Sequence, residues 1–191
     1  IKSCKENNSK LIFLSTNAVF DGKNPTYNEN DQTNPINYYG KLKVQSEIEI
    51  QESGIDSLII RPILLFGQNY PSRRSNMVTW LIQKNKQNEK VNIVDDVFSN
   101  PIYAVTSAEL IWKLIENNST GIFHLGGQEQ ISRYDFAKII FEVFGLNEDI
   151  LSPVHNNFFP EIAARPINTC LNVDKIQKEL NFKILILNQS Y

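Results

Sequence analysis

The 191-residue chain has no glycine-rich turn. Its eight glycines are scattered. None falls in the Gly-x-Gly-x-x-Gly spacing whose backbone N–H groups cradle a pyrophosphate. Cysteine is scarce as well: Cys4 and Cys170 are the only two. Their separation excludes a disulfide scaffold and a zinc knuckle, and it reads as reduced cytosolic thiols. Net charge is only −2, which leaves no bulk attraction to nucleic acid or to an anionic membrane. No apolar run approaches the length of a membrane span, and the first residues lack the pattern of a signal peptide. These absences together suggest a cytoplasmic protein. Repeats, low-complexity tracts and charge blocks are missing too.

What remains is ordinary globular material, 41% apolar and 21% charged, enough for one domain with a substantial core. Residues 1–9 read as the end of a helix and a loop. Lys10 to Ser15 and Ser57 to Pro62 are short continuous apolar runs, the pattern of parallel strands buried on both faces. Between them, residues 21–36 form a long loop. A helix is predicted from about Asn37 to Ser53, stopped at Gly54. Further on the pattern gives a loop at 67–75, a helix from Asn76 to Lys86 and a short strand from Val91 to Val94. A helix over Ser107 to Asn117 and a strand over Gly121 to Leu125 come next. A helix from the Ser132 cap to about Phe144 ends at Gly145, and a last short helix runs from Asn172-Val173-Asp174 to Leu180. Strands alternating with helices predict an α/β protein with a mostly parallel sheet.

The chemistry sits in Ser15-Thr16-Asn17-Ala18-Val19-Phe20-Asp21-Gly22 and in Tyr39-Gly40-Lys41-Leu42-Lys43. Ser15 and Thr16 close a buried strand, and ligands of α/β sheets lie at the carboxyl ends of parallel strands. Tyr39 and Lys43 are four residues apart, on one helix face. A phenol, an ammonium and a hydroxyl are the parts needed to move a proton to a carbonyl oxygen as hydride reaches its carbon. Lys43 is then the fixed charge that stabilises a Tyr39 phenolate, and Thr16 binds the same oxygen. Tyr134 and Lys138 repeat the spacing, but no hydroxyl-bearing strand end precedes them, so they read as parts of an amphipathic helix. His124 lies inside an apolar strand and reads as a core histidine, and His155 reads as a loop residue.

The stretch STNAVFDG, the segment Pro25 to Glu29, and NPINYYGKLKVQSE resemble the extended short-chain dehydrogenase/reductases. Within that superfamily the match is to the dTDP-4-dehydrorhamnose reductase family. Arg61-Pro62 with Phe66-Gly67, Gly121 to Leu125 with Tyr134 to Ala137, and Ala164-Arg165-Pro166 before Leu171 to Lys175 resemble its later elements. The likeness runs from Leu11 to Leu180. It implies the C-terminal part of a Rossmann-type doubly wound parallel sheet plus a small sugar-nucleotide lobe. The corresponding division is 1–66 against 67–191, with segments around 91–125 returning to the sheet. It also implies reduction of a 4-keto nucleotide-sugar, a dTDP-sugar foremost, with NADP or NAD as cofactor and pairing into a homodimer.

By the same resemblance, Thr16, Tyr39 and Lys43 are catalytic. Ser15, Tyr39, Lys43, Arg61 and Pro62 face the cofactor. Asn17, Val19, Phe20, Asn100 and Arg165 face the substrate, with Arg165 on the diphosphate.

The chain departs from the family pattern at several places. Asn17 and Ala18 stand where Asp and an aromatic are usual, Leu64 stands at a Trp position, and Asp96 to Ile102 replaces a glycine-containing segment. The family also contains the regulatory β subunit of methionine adenosyltransferase, a non-catalytic alternative. A nucleotide-sugar epimerase is a further one, and a dehydratase fits less well because Asn17-Ala18 offers no acidic pair. The family's phosphate loop comes about three βα units earlier, on the order of 100 residues. On that ground, and because Ile1 is not Met, the chain is expected to be the C-terminal part of a longer enzyme, inert alone, whose open sheet edge favours pairing with another chain.

Overall fold

A computed structural model describes residues 1–68, 75–160, 164–184 and 187. Most of the predicted 67–75 loop and the end of the tail lie outside them. The elements run α1 (Lys2–Glu6), β1 (Leu11–Leu14), α2 (Tyr38–Glu52), β2 (Ser57–Pro62), β3 (Leu65–Phe66) and α3 (Met77–Lys86). They continue through β4 (Val91–Val94), β5 (Phe98–Ser99), β6 (Ile102–Tyr103), α4 (Ala104–Glu116), β7 (Gly121–Leu125) and β8 (Ile131–Ser132). The last are α5 (Arg133–Phe144), β9 (Leu151–Val154) and α6 (Asp174–Leu180).

Three strands form a parallel sheet in the order β1-β2-β7, with Leu14 opposite Ile60 and Arg61 opposite His124. The β-branched and Leu-rich runs of β2 and β7 are buried because both sheet faces are covered. On one face α4 and α6 close over a core that includes Leu58, Ile60, Leu110, Leu114, Phe123 and Ile176. Each fully buried aliphatic or aromatic side chain there contributes on the order of 1.5–3 kcal/mol.

A second core is built from α3, α5, β4 and β9 around Leu81, Ile93, Phe136, Ile140 and Phe141. Of the stretch expected to return to the sheet, β7 joins it with α4 packed behind, whereas β4 pairs with β9 in this second lobe. The reason is register: Val91 and Ile93 alternate with exposed positions, a one-faced strand that packs on α5.

The α4 helix starts three residues before the expected Ser107. Inside the helix, the Ser107 hydroxyl donates back to the Tyr103 carbonyl at 3.0 Å, so the residue expected to begin the helix is an interior one. Strands β3, β5, β6 and β8 are two residues each, too short for any periodicity, and β9 contains Pro153. A third, smaller core of Val19, Phe20, Tyr27, Ile63 and Leu171 pins the 21–36 loop against the sheet end. The Phe20 and Tyr27 rings stack there at 4.1 Å.

Candidate active site

Strand β1 ends at Leu14, and the Ser15 amide still donates to the Ile60 carbonyl at 2.7 Å. Ser15 and Thr16 therefore stand at the carboxyl end of the sheet, both largely buried. The Thr16 hydroxyl accepts from the Ala18 amide at 3.2 Å and opens the 3-10 turn Asn17–Val19. Its own proton points at Asn17 Oδ1 across a weak 3.4 Å contact.

Helix α2 begins where the Asn37 side chain accepts the Gly40 amide at 2.8 Å, a standard N-cap. Gly40 then lies against the turn: a Cβ built there would be 2.2 Å from the Ala18 carbonyl oxygen. Absence of that carbon is what lets the helix bearing Tyr39 and Lys43 pack directly on the turn bearing Thr16 and Asn17. The Lys43 ammonium donates to the Leu14 carbonyl at 2.7 Å and sits 4.6 Å from the Phe13 ring centre and 6.0 Å from that of Tyr39. Tyr39 is 55% exposed. Its hydroxyl has no hydrogen-bond partner among the described residues. The helix bearing the phenol and the ammonium thus packs on the turn bearing the hydroxyl at one sheet end. The other Tyr-x-x-x-Lys pair is different, because Lys138 is held by Asp135 at 2.7 Å.

Beside this end lies a cleft of about 550 Å³ that reaches into the second lobe. Asn17, Asn37 and Thr169 line it on the sheet side, and Trp80, Asn92 and Phe159 on the lobe side. The Asn17 amide donates to the Thr169 hydroxyl at 2.5 Å, and the Asn37 amide to the Ala164 carbonyl at 3.1 Å, so the Arg165-Pro166 turn is tied to the site. Arg165, which the resemblance assigns to the substrate diphosphate, lines the cleft, and so does Arg133, which carried no signal in the sequence. Neither guanidinium has a carboxylate partner among the described residues, and no described residue lining the cleft is acidic. Burial, and then the charge of Arg165, pull the pKa of Arg133 below the usual arginine range. Arg133 is also the first residue of α5, where the helix dipole disfavours a cation. Ser99 lines the same cleft, and its buried hydroxyl has no partner. Among the described residues, then, the two arginines find no negative charge and the Ser99 hydroxyl no hydrogen-bond partner.

Four expected ligand contacts are placed elsewhere. Val19 and Phe20 are fully buried in the third core, where their apolar bulk belongs, and they present nothing to a substrate. The Asn100 amide donates to the Gly127 and Leu171 carbonyls at 2.7 and 2.9 Å, and its oxygen accepts the Leu171 amide at 3.1 Å; it is an internal staple. The Arg61 guanidinium is 3% exposed and is bound to Glu47. Pro62 closes β2 half-buried at the site end of the sheet.

His124 is the core histidine its strand suggests. Its Nε2 faces Arg61 Nη1 at 3.4 Å and its Nδ1 faces the Tyr27 carbonyl at 3.2 Å. Since Arg only donates and a carbonyl only accepts, the proton is on Nδ1. Burial, helped by the Arg61 charge, pushes its pKa down to about 3.

The family model described as RmlD substrate binding domain matches residues 1–188. A dTDP-4-dehydrorhamnose reductase of Aggregatibacter actinomycetemcomitans is 30% identical over 183 residues, which are 90% of this chain and 61% of that protein. The methionine adenosyltransferase 2 subunit beta of Danio rerio is 31% identical over 175 residues, 88% of this chain and 54% of that protein. The crystal structure of dTDP-4-dehydrorhamnose reductase from Bacillus anthracis in complex with NADP superposes with a TM-score of 0.83 at 29% identity. It covers 93% of this chain and 62% of that one. The chain spans somewhat more than half the length of the relatives it matches.

Proposed function

The chain belongs to the RmlD substrate binding domain family, and on that premise we propose that the protein reduces the 4-keto group of a nucleotide-sugar, a dTDP-sugar foremost. The observation that carries the reading is the contact at Gly40. It packs the helix of Tyr39 and Lys43 on the turn of Thr16 at the carboxyl end of a parallel sheet, beside a cleft lined by two arginines that have no carboxylate partner among the described residues.

The donor set fits a nicotinamide cofactor. Lys43 has three N–H donors and uses one on the Leu14 carbonyl, which leaves two for a ribose diol. The Tyr39 phenol is free beside it. NADPH or NADH, when bound, supplies the hydride. Tyr39 donates its proton to the ketone oxygen as negative charge develops there. Lys43 holds its positive charge next to the Tyr39 ring and stabilises the phenolate that is left. Thr16 exchanges its weak bond to Asn17 for one to the same ketone oxygen. Pro62 walls the cofactor side. Arg133 and Arg165 attract and hold the diphosphate of the substrate, Arg133 from a half-buried position where a charge pair is stronger than in open water. Asn17 and Ser99 supply polar contacts to the sugar side.

The same reading makes the protein cytoplasmic and homodimeric. Cys4 and Cys170 are free thiols, which suits a reducing compartment. No described helix is long and apolar enough to cross a membrane.

The test is NADPH and NADH oxidation by the complete protein with dTDP- and UDP-linked 4-keto-sugars. Turnover with one of them supports the reading. Absence of turnover with all of them favours the second reading, a regulatory subunit of the methionine adenosyltransferase type. That reading rests on the similarity to the Danio rerio subunit and on Asn17, whose amide is held by Thr169. Co-purification with a methionine adenosyltransferase catalytic subunit would decide for it.

A further inference from the structure

The Tyr39–Lys43 stripe of α2 continues one turn further to Glu47, and there it turns inward. Glu47 is 2% exposed, on a helix whose other polar side chains face solvent or the site. A buried carboxylate is costly unless it is paired and fully hydrogen-bonded. Glu47 meets both conditions. Arg61 Nε donates to its two oxygens at 3.0 and 3.2 Å, and Arg61 Nη2 donates to Oε2 at 2.6 Å. The Ser15 hydroxyl donates to Oε1. Arg61 reaches further with its remaining nitrogen, to the Glu29 carbonyl at 3.4 Å and to His124 Nε2 at 3.4 Å. Its guanidinium carbon lies 5.3 Å from the centre of the Phe20 ring.

The two residues therefore touch each segment on the sheet side of the site. Through Glu47 they hold α2, and with it Tyr39 and Lys43. Through the Ser15 hydroxyl they hold the strand end whose next residue is Thr16. Through Phe20 they hold the end of the turn that Thr16 opens, and through Glu29 the 21–36 loop. A fork-on-carboxylate pair has a narrow preferred geometry, unlike an apolar contact, which slides. Such a pair fixes the depth of α2 against β2 and, through the Ser15 hydroxyl, against the end of β1.

We propose that Glu47 and Arg61 are positioning residues of the reductase site, setting the spacing between the Thr16 hydroxyl and the Tyr39–Lys43 face through Ser15. The proposal rests on the reading of that site as a reductase site. It also gives Arg61 a role other than direct contact with the cofactor.

Packing and positioning are separated by replacing the ion pair with an apolar pair. A buried pair exchanged for apolar residues of similar volume often keeps or gains stability, while a single deletion strands a charge. In the complete protein, the Glu47→Leu/Arg61→Met double variant is expected to keep its melting temperature near wild type. Its kcat should fall by about tenfold to 100-fold with KM for both substrates within about threefold, because a misplacement of about 1 Å costs that much. Ser15→Ala, which removes one hydroxyl and leaves the pair intact, is expected to fold and to lose several-fold in kcat on the same pattern.

A folded double variant with wild-type kcat overturns the proposal. If the double variant does not fold, Ser15→Ala decides alone, and wild-type kcat in it overturns the proposal equally. Should the wild-type protein turn over no keto-sugar nucleotide, the reductase reading fails, and amide hydrogen exchange decides the positioning claim. Faster exchange from Leu42 to Glu47 in Ser15→Ala supports the clamp, and unchanged protection removes it.

Discussion

At position 40 a methyl group would meet the Ala18 carbonyl oxygen at 2.2 Å and the Pro35 side chain at 2.8 Å. Alanine is normally the better helix residue by about 1 kcal/mol, so any net loss in Gly40→Ala measures the clash. We expect the clash to win. Overpacking of this kind costs about 1–3 kcal/mol, and relief requires α2 to lift away from the Thr16 turn. Gly40→Ala should lower turnover by at least about tenfold, read from steady-state kinetics beside a denaturant melt. Arg133 makes the opposite case. It is half-buried, near a like charge and at the positive end of a helix, so its charge does not serve the stability of the free protein. Arg133→Gln should weaken dTDP binding by about tenfold or more, the worth of one charged hydrogen bond, while leaving the melting temperature unchanged or higher. Calorimetric titration and a thermal melt of the same sample read both effects.

Helix α5 shows the value of local signals at the scale of an element. The Ser132 hydroxyl accepts the Asp135 amide at 2.9 Å and donates to the Asp135 carboxylate at 2.7 Å, while Gly145 ends the helix at φ +59°. Both ends were legible in the sequence because cap and stop chemistry is local. Ser132→Ala should cost about 1 kcal/mol of stability in urea denaturation. The ends of α2 were equally legible, at Asn37 and before Gly54. The start of α4 was not, since Ser107 bonds backward within the helix and only the tertiary path of β6 sets where α4 begins. Among the proposed site residues, Tyr39, Lys43 and Thr16 stood out by spacing and strand context, and the family resemblance assigned their roles. Glu47, Arg133, Ser99 and Trp80 did not, because what distinguishes each is burial or its position on the cleft, which only the assembled lobes create. A sequence signal for Glu47 did exist. It is a carboxylate one further turn along the Tyr39–Lys43 stripe, and its meaning appears only when Arg61 is found opposite.

For the molecule as a whole, helix α2, the parallel sheet and the 21–36 loop converge on Arg61 and His124. His124 is uncharged in the fold, with its pKa pushed down from 6.5 to about 3 by burial and by Arg61. The unfolded chain binds a proton near its ordinary value and the folded chain does not. Stability from this group is therefore complete above about 6.5 and is lost as pH falls from there toward 3. The slope in that window approaches about 1.4 kcal/mol per pH unit. His124→Gln should flatten the pH 4 to 6 limb of stability, whatever its effect at pH 7, as read from denaturant midpoints across that range on the order of 2 pH units. The carboxyls of Asp21 and Asp135 are lowered by hydrogen bonds, and their contributions are lost at more acid pH. Because His124 packs against the Arg61–Glu47 pair behind the site, site and stability should be lost together under acid.

The central claim is that Tyr39 delivers the proton to the reacting ketone. The most direct measurement is turnover and NADPH affinity of the complete Tyr39→Phe protein beside wild type. The account predicts a fall in kcat of at least about 100-fold with cofactor affinity unchanged. Wild-type turnover in Tyr39→Phe would contradict it.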